Sequence, residues 1–145
     1  MPMPPMPLRF ALLAACISCA CASQRAAGQE WELARGADPT GARVYDAHCA
    51  GCHGATGEGA RGIPELVGAE ALVFQRGKRQ EGKTFQTAQD VFDYTSTKMP
   101  LPPKRVGSLS ERDYWAVVSF LLRAKGASLP SGGLTPLNAR SIAVN

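Results

Sequence analysis

The chain contains few of the side chains from which catalytic and metal centres are usually built. Its 145 residues include only two histidines, His48 and His53, and four methionines. Aromatic residues make up 7% of the sequence, and the formal net charge is +4. This charge is too small to indicate a disordered chain or a strong nucleic-acid binder. The length suits a single domain, so any chemistry must depend on a handful of residues.

A run of apolar residues long enough to span a membrane is also missing. The apolar stretch at residues 10–22 is too short for a bilayer core of roughly 30 Å, and it follows a leader whose one cation is Arg9. This arrangement predicts an export signal over residues 1–22. Cleavage before Cys16, as in bacterial lipoproteins, would leave a lipid-anchored periplasmic protein, whereas cleavage after Ala22 would release a soluble one. The sequence leaves both cleavage sites open.

The sequence beyond the signal divides into three parts. Residues 23–37 are expected to form a polar tether, residues 38–126 a helical domain, and residues 127–145 a C-terminal tail with a few apolar anchors. A Gly-rich connection at residues 54–86 shows no strand-like alternation, and a short helix is expected within it at residues 69–74.

Three helices are predicted in the domain, and together they indicate a small all-α fold. Each begins at a residue type that caps helix N-termini: Asp38, Thr87 and Ser110. The third helix has the clearest apolar face, which consists of Tyr114, Val117, Val118, Leu121 and Leu122.

The segment Cys49-Ala50-Gly51-Cys52-His53 places two cysteines and a histidine close together. Residues three apart on a helix face the same way, so the two thiols are expected to point in one direction with the imidazole beside them. C-x-x-C-H is the attachment signature of c-type haem, in which both thiols add to the haem vinyl groups and the imidazole binds iron. The sequence therefore predicts one covalently attached haem c with its iron.

Three other functions use part of this pattern. A disulfide between Cys49 and Cys52 would close a very small loop and stabilise the fold little. A thioredoxin-like redox pair usually accompanies a βαβ pattern, which this sequence lacks. A zinc site needs four ligands, and recruiting His48 as the fourth would strain the cage. Covalent haem is favoured over all three.

A second iron ligand is indicated by the methionines that remain after export. Met1, Met3 and Met6 lie in the leader, so Met99 is the one methionine of the exported chain. It lies in STKMPLPPKRVG, after the second predicted helix, where prolines lower the entropy of the loop. The plainer interpretation is a gap-filling core methionine, but that role suits a helix interior better. Met99 is therefore predicted to bind iron together with His53.

The order of these features resembles the class I c-type cytochromes. A C-x-x-C-H helix, a Gly-rich loop, a helix, a Met-Pro loop and an amphipathic C-terminal helix follow one another over about residues 38–126. The resemblance implies a helical fold around one haem. It implies attachment through Cys49 and Cys52 and iron ligation by His53 and Met99.

The resemblance also implies two structural contacts. In the family, a proline carbonyl after the haem motif accepts a hydrogen bond from the ligand histidine, and Pro64 matches that proline. The first and last helices of the family cross through a small residue and an aromatic one. Gly41 and Tyr45 against Tyr114 or Trp115 are expected to form this crossing.

The two predicted ligands indicate one-electron transfer and not an enzyme. Iron with both axial positions filled has no open position for a substrate, and Met/His ligation raises its reduction potential. His48 is expected to point away from the haem, because it lies about 100° around the helix from Cys49. The expected partners are exported or membrane redox proteins, namely a dehydrogenase, a respiratory complex or an oxidase. Two alternatives stay open: a ligand-binding or peroxidase-type haem protein with a displaceable Met99, and a disulfide oxidoreductase.

Basic residues cluster in two places that bear on the partner. One group lies at residues 76–83 and consists of Arg76, Lys78, Arg79 and Lys83. The other flanks Met99 and consists of Lys98, Lys104 and Arg105. The plainer interpretation of both is a solvated surface. The alternative is a docking face for an acidic partner, which would raise encounter rates more than affinity.

Overall fold

The computed structural model describes residues 28–68, 71–72 and 85–144, in which the regular elements are helices. They are α1 (28–37), α2 (Pro39–His48), α3 (Ala50–His53), α4 (Ala88–Lys98) and α5 (Glu111–Ala124), with 3₁₀ turns at Pro103–Arg105 and Ala139–Ser141. The all-α prediction is confirmed. Within these ranges no helix is both long and apolar enough to cross a membrane.

Some predicted features lie outside the described residues. These are the export signal with Cys16 and the basic group at residues 76–83. Of the short helix expected at residues 69–74, only residues 71–72 are described, and they form a turn.

The predicted helix starts are confirmed. Asp38 accepts a hydrogen bond from the Gly41 backbone N–H at 3.0 Å, before the proline that opens α2. Thr87 and Asp90 form a capping box at α4, in which each side chain accepts a hydrogen bond from the other residue's backbone N–H. Ser110 accepts from the N–H three residues on at the start of α5. These bonds satisfy donors that a helix cannot pair internally.

Helix α5 is the centre of the core, and α2 and α4 both pack against it. All of its predicted apolar-face residues are buried: Tyr114, Val117, Val118, Leu121 and Leu122. The apolar pattern of the third helix therefore predicted the core correctly.

Gly41 allows α2 to cross α5 closely. A Cβ atom at this position would overlap the carbonyl oxygen of Ala116 and lie 2.6 Å from the Phe120 Cβ. Tyr45, one turn along α2, also contacts Phe120, with ring centroids 5.8 Å apart. The expected crossing through a small and an aromatic residue of α2 is therefore present.

The partners expected for this crossing on α5 were wrong. Tyr114 and Trp115 instead contact Phe92 of α4, with ring centroids 6.4 and 3.7 Å away. Successive residues of a helix are rotated by about 100°, so α5 turns Ala116 and Phe120 toward α2 and these two aromatics elsewhere.

Residues 28–37 form helix α1, so the predicted polar tether is wrong for this part of the chain. Trp31 is 2% exposed and packs edge-on against Tyr45 and Phe120, at centroid distances of 5.0 and 4.7 Å. Trp31 and Ala34 are the residues of α1 that join the core cluster. One large aromatic thus anchors a helix whose other residues are mostly polar or small, which is why its composition suggested a tether.

The predicted tail packs onto α4 and α5. Its buried apolar residues are Leu134, Ala139 and Val144. Near its end, the carbonyl of Ile142 accepts a hydrogen bond of 2.9 Å from the N–H of Ala88. Because Ala88 is the first residue of α4, this bond satisfies a donor that the helix leaves unpaired.

Candidate functional site

A cavity of about 650 Å³ is lined by residues of α3, the loop that follows it, α4 and α5. Cys49, Cys52, His53 and Met99 all line this cavity. Its apolar wall includes Ile63, Leu66, Leu72, Phe85, Val91, Val117 and Leu121. The volume lies within the range of about 300–1,000 Å³ that is usual for ligand and cofactor sites. The structure thus brings the four predicted site residues together around one mainly apolar space.

The two cysteines lie at the junction of α2 and α3. The backbone of Cys49 (φ −120°, ψ −40°) ends α2, and its carbonyl accepts hydrogen bonds from the N–H groups of Cys52 and His53 at 3.1 and 3.0 Å. Both cysteines are free thiols; Cys49 is half-buried and Cys52 is exposed. Burial raises the pKa of the Cys49 thiol to about 11, although the charge of Arg105 opposes the shift. Before a haem attaches, the Cys49 thiol is therefore protonated at neutral pH.

A hydrogen bond fixes the orientation of the buried His53 ring. Its Nδ1 lies 3.0 Å from the carbonyl oxygen of Pro64, the contact that the family resemblance implied. A carbonyl oxygen can only accept, so the neutral imidazole must carry its proton on Nδ1. Its Nε2 then keeps a free lone pair, which is the form in which histidine binds a metal.

Glycines allow the loop after α3 to bring Pro64 to His53. Gly54 ends α3 with φ +88°, and Gly59 has φ +74°. These left-handed conformations are costly for other residues. A Cβ on Gly59 would also lie 2.8 Å from the backbone nitrogen of Glu65, while the Gly59 N–H donates to the His53 carbonyl at 2.7 Å. The glycines therefore allow the loop conformation in which the Pro64 carbonyl reaches His53.

Tyr45 ties the end of α3 to α2. Its hydroxyl donates a hydrogen bond of 2.6 Å to the carbonyl of Gly54, the residue after His53. The side chain is fully buried, and burial raises the pKa of Tyr45. Its hydroxyl therefore stays protonated and keeps donating.

Met99 directly follows α4, and its backbone is held on both sides. Its N–H donates to the carbonyl of Thr95 at 3.0 Å. Its carbonyl accepts from the hydroxyl of Tyr114 at 2.8 Å and from the N–H of Gly107 at 3.4 Å. The main chain is thus fixed to α4 and α5 at a residue that lines the cavity.

His48 lines the same cavity, so the expectation that it points away was wrong. The angle expected for a continuous helix does not apply, because α2 ends at His48 and the backbone changes direction at Cys49. The His48 Nδ1 accepts a hydrogen bond from the Arg105 guanidinium at 3.0 Å. Arg105 thus links the methionine loop to the end of α2.

The structure also bears on the other uses of the C-x-x-C-H pattern. In the described ranges, His, Cys, Asp and Glu residues form no group of three or more that could hold a metal ion. The same ranges contain two isolated β-bridges but no strand beside the cysteine pair. The geometry therefore supports neither a zinc cage nor a thioredoxin-like setting.

The chain matches the family model described as Cytochrome c over residues 39–125, which is more than half of its length. It belongs to the cytochrome c family. No curated protein and no solved structure matches it. Family membership implies a covalently bound haem c with its iron, and the spacing of Cys49 and Cys52 fits the C-x-x-C-H site. It also implies electron transfer with redox partner proteins.

The residues present fit a haem. The cavity supplies two free thiols, an imidazole with Nε2 available, a thioether and an apolar wall. An imidazole and a thioether are the axial pair of Met/His cytochromes c. Helix α1 and the packed tail lie outside the matched range, so this cytochrome is supported by segments on both flanks.

Sequence reasoning missed the site roles of Tyr45, Tyr114 and Arg105. Both tyrosines were predicted only as parts of packing surfaces, and Arg105 as a surface cation. Each donates to a group distant in sequence: a loop carbonyl for the tyrosines and His48 for the arginine. No local pattern identifies such acceptors. The one available signal was that a tyrosine on a core face needs an acceptor for its hydroxyl.

Proposed function

We propose that this protein is a single-haem electron carrier of class I type. Cys49 and Cys52 attach the haem, and His53 and Met99 bind its iron. The proposal rests on the hydrogen bond between His53 and Pro64, beside a cavity that Met99 also lines. When bound, a haem supplies a one-electron iron couple. The residues of the chain hold it, orient the ligands and exclude water.

The two proposed ligands have different roles. The bond from Nδ1–H of His53 to Pro64 keeps the ring in one tautomer and raises its basicity as a ligand. The thioether of Met99 raises the reduction potential relative to other axial ligands. The apolar wall, to which Val117 and Leu121 of α5 contribute, lowers the local dielectric around the site.

The alternative is a ligand-binding or peroxidase-type protein in which Met99 is displaced. Such an enzyme needs a group near the iron that accepts and returns a proton. His48 is a histidine at the cavity, but its Nδ1 already accepts a hydrogen bond from Arg105. The hydrogen bonds on the Met99 backbone also oppose displacement. These contacts support a carrier over an enzyme.

Reaction with small molecules tests this choice. The purified, reduced protein is expected to react slowly with peroxide and to bind carbon monoxide poorly, because Met99 occupies the position that either molecule needs. Met99→Ala is the positive control, since it should bind carbon monoxide readily. Rapid peroxide turnover by the intact protein would instead identify an enzyme.

We propose that the partner docks at the methionine loop. Lys98, Lys104 and Arg105 are exposed there and flank in sequence the half-exposed Leu101, which lines the cavity. Cations around an apolar contact suit an acidic redox protein, such as an exported dehydrogenase, a respiratory complex or an oxidase. Reduction by that partner should slow as salt rises, because a Debye length of about 10 Å at 0.1 M screens the attraction. A salt-independent rate would favour a merely solvated surface.

We propose that the protein is exported, and the processed N-terminus tests how. Lipid attachment at Cys16 would keep the protein on the membrane, and Cys16→Ser should release it or block processing. A native N-terminus at Ser23 in the soluble fraction would establish cleavage after Ala22 instead.

A further inference from the structure

We infer that Tyr114 is a positioning residue that keeps Met99 at the cavity and opposes its displacement by other ligands. This inference rests on the proposed binding of iron by Met99. The observation is the hydrogen bond of 2.8 Å that the Tyr114 hydroxyl donates to the Met99 carbonyl. Tyr114 does not line the cavity, so it acts through Met99.

Tyr114 stands on a rigid support. It lies in the first turn of α5, whose N-terminus Ser110 caps, and its side chain is buried. Its ring packs edge-on against Phe92 of α4, at a centroid distance of 6.4 Å. Tyr114 is therefore held by α5, to which it belongs, and by its contact with α4, the helix that precedes Met99.

The other hydrogen bond to the Met99 carbonyl is longer than the bond from Tyr114. The Gly107 N–H reaches the same carbonyl at a longer distance of 3.4 Å. Residues 101–105 of the loop are exposed. The thioether leaves the cavity either when its side chain rotates or when the backbone of Met99 moves outward. Tyr114 opposes the backbone movement, because outward movement would break a buried hydrogen bond.

The chain offers a matched control in Tyr45. It is also buried, and its hydroxyl also donates to a backbone carbonyl, that of Gly54 at 2.6 Å. This bond holds the end of α3 beside His53, and neither of its two residues belongs to the methionine loop. Replacement of either tyrosine by phenylalanine keeps the ring and removes one buried hydrogen bond. Only the Tyr114 variant should alter how firmly Met99 is held.

The test compares haem-loaded wild type, Tyr114→Phe and Tyr45→Phe by titration of the oxidised proteins with imidazole. Loss of the weak sulfur-to-iron absorption band reports displacement of Met99. Because a net hydrogen bond changes an equilibrium by roughly fivefold, Tyr114→Phe should bind imidazole about fivefold more tightly than wild type. Tyr45→Phe should stay within about twofold of wild type. Guanidinium unfolding of both variants measures their general loss of stability.

The reduction potential is a second readout. Weaker retention of the thioether should lower the potential of Tyr114→Phe relative to Tyr45→Phe. Equal imidazole affinities in wild type and Tyr114→Phe, or equal increases in both variants, would overturn the positioning role and leave ligation by Met99 intact. A wild type without the sulfur-to-iron band would overturn the proposed ligation and this inference with it.

Discussion

The cavity is lined by two loops that differ in how they are held in place. The attachment segment, residues 49–68, carries both cysteines and His53, and its conformation depends largely on bonds within itself. The Gly59 N–H bonds to the His53 carbonyl, and Pro64 fixes the imidazole. The methionine segment, residues 99–107, carries one proposed iron ligand, Met99. Its key backbone bonds come from Thr95 of α4 and Tyr114 of α5.

This difference separates a site feature that is local in sequence from one that depends on tertiary structure. The attachment segment takes its geometry mostly from its own residues, namely the spaced cysteines and histidine, the glycines and Pro64. The methionine segment takes its position from helices that must first pack. Each flanking segment supports one side of the site. Helix α1 packs against α2, which leads into the attachment segment, and the tail packs against the start of α4, which leads into the methionine segment.

The largest expected effect tests the attachment segment. Cys49→Ala combined with Cys52→Ala should abolish covalent haem, because no thiol is left there to form a thioether. Mass spectrometry of denatured protein made with the cytochrome c maturation machinery measures this as loss of one haem mass. Each single variant is the control, since one thiol remains available. Wild-type haem that acid-acetone extracts would contradict thioether attachment.

The next effect tests whether α1 supports the attachment side. Trp31→Ala should lower the free energy of unfolding by about 3–5 kcal/mol, because a large buried ring is lost from the α1–α2–α5 cluster. Leu33→Ala is the control on the same helix, since Leu33 is 59% exposed. Its expected change is within about 0.5 kcal/mol. Equal denaturant midpoints for the two variants would mean that α1 does not contribute to the fold.

A smaller effect tests the crossing that positions α2. Gly41→Ala should cost about 1–3 kcal/mol, because the new methyl group overlaps the backbone of Ala116. Gly36→Ala is the matched control within α1, where no atom lies within 4 Å of the added Cβ. It should be neutral or stabilising by up to about 1 kcal/mol, since alanine favours helix. Chemical denaturation measures the free energy of unfolding of both variants. A Gly41→Ala protein as stable as wild type would contradict the close crossing of α2 and α5.

The smallest effect concerns the ion pair between α1 and α2. Arg35 donates two hydrogen bonds to Asp46, at 3.0 and 2.8 Å, and these bonds lower the pKa of Asp46. The side chains are 34% and 45% exposed, so Asp46→Asn should cost at most about 1 kcal/mol.

The pH dependence of this pair has a definite sign. A carboxyl whose pKa is lowered in the folded state contributes stability above its unfolded pKa and loses it as pH falls through the folded value. The difference between wild type and Asp46→Asn should therefore be present at neutral pH and disappear in acid. It should also shrink in salt. A difference that persists at low pH would point to packing, not charge.

Sequence predicted the attachment segment better than its surroundings. The Cys49–Cys52 spacing and Pro64 are local features, and the structure has the expected hydrogen bond to the carbonyl of Pro64. Met99 was predicted as a ligand by elimination, because it is the one methionine outside the leader, and the structure places it at the cavity. Trp31 was missed because one buried aromatic in a polar stretch produces almost no helical period. The hydrogen bond of Tyr114 was missed because its acceptor, the Met99 carbonyl, lies 15 residues away in the sequence.

The central claim is that the two segments each supply one iron ligand, and Met99 tests it most directly. The absorption spectrum of the oxidised protein should contain a weak sulfur-to-iron band in the far red. In Met99→Ala this band should be absent while the haem stays attached, the reduction potential falls and the ferrous form binds carbon monoxide. A Met99→Ala protein with the spectrum and potential of wild type would contradict the claim and point to His48, the other histidine that lines the cavity.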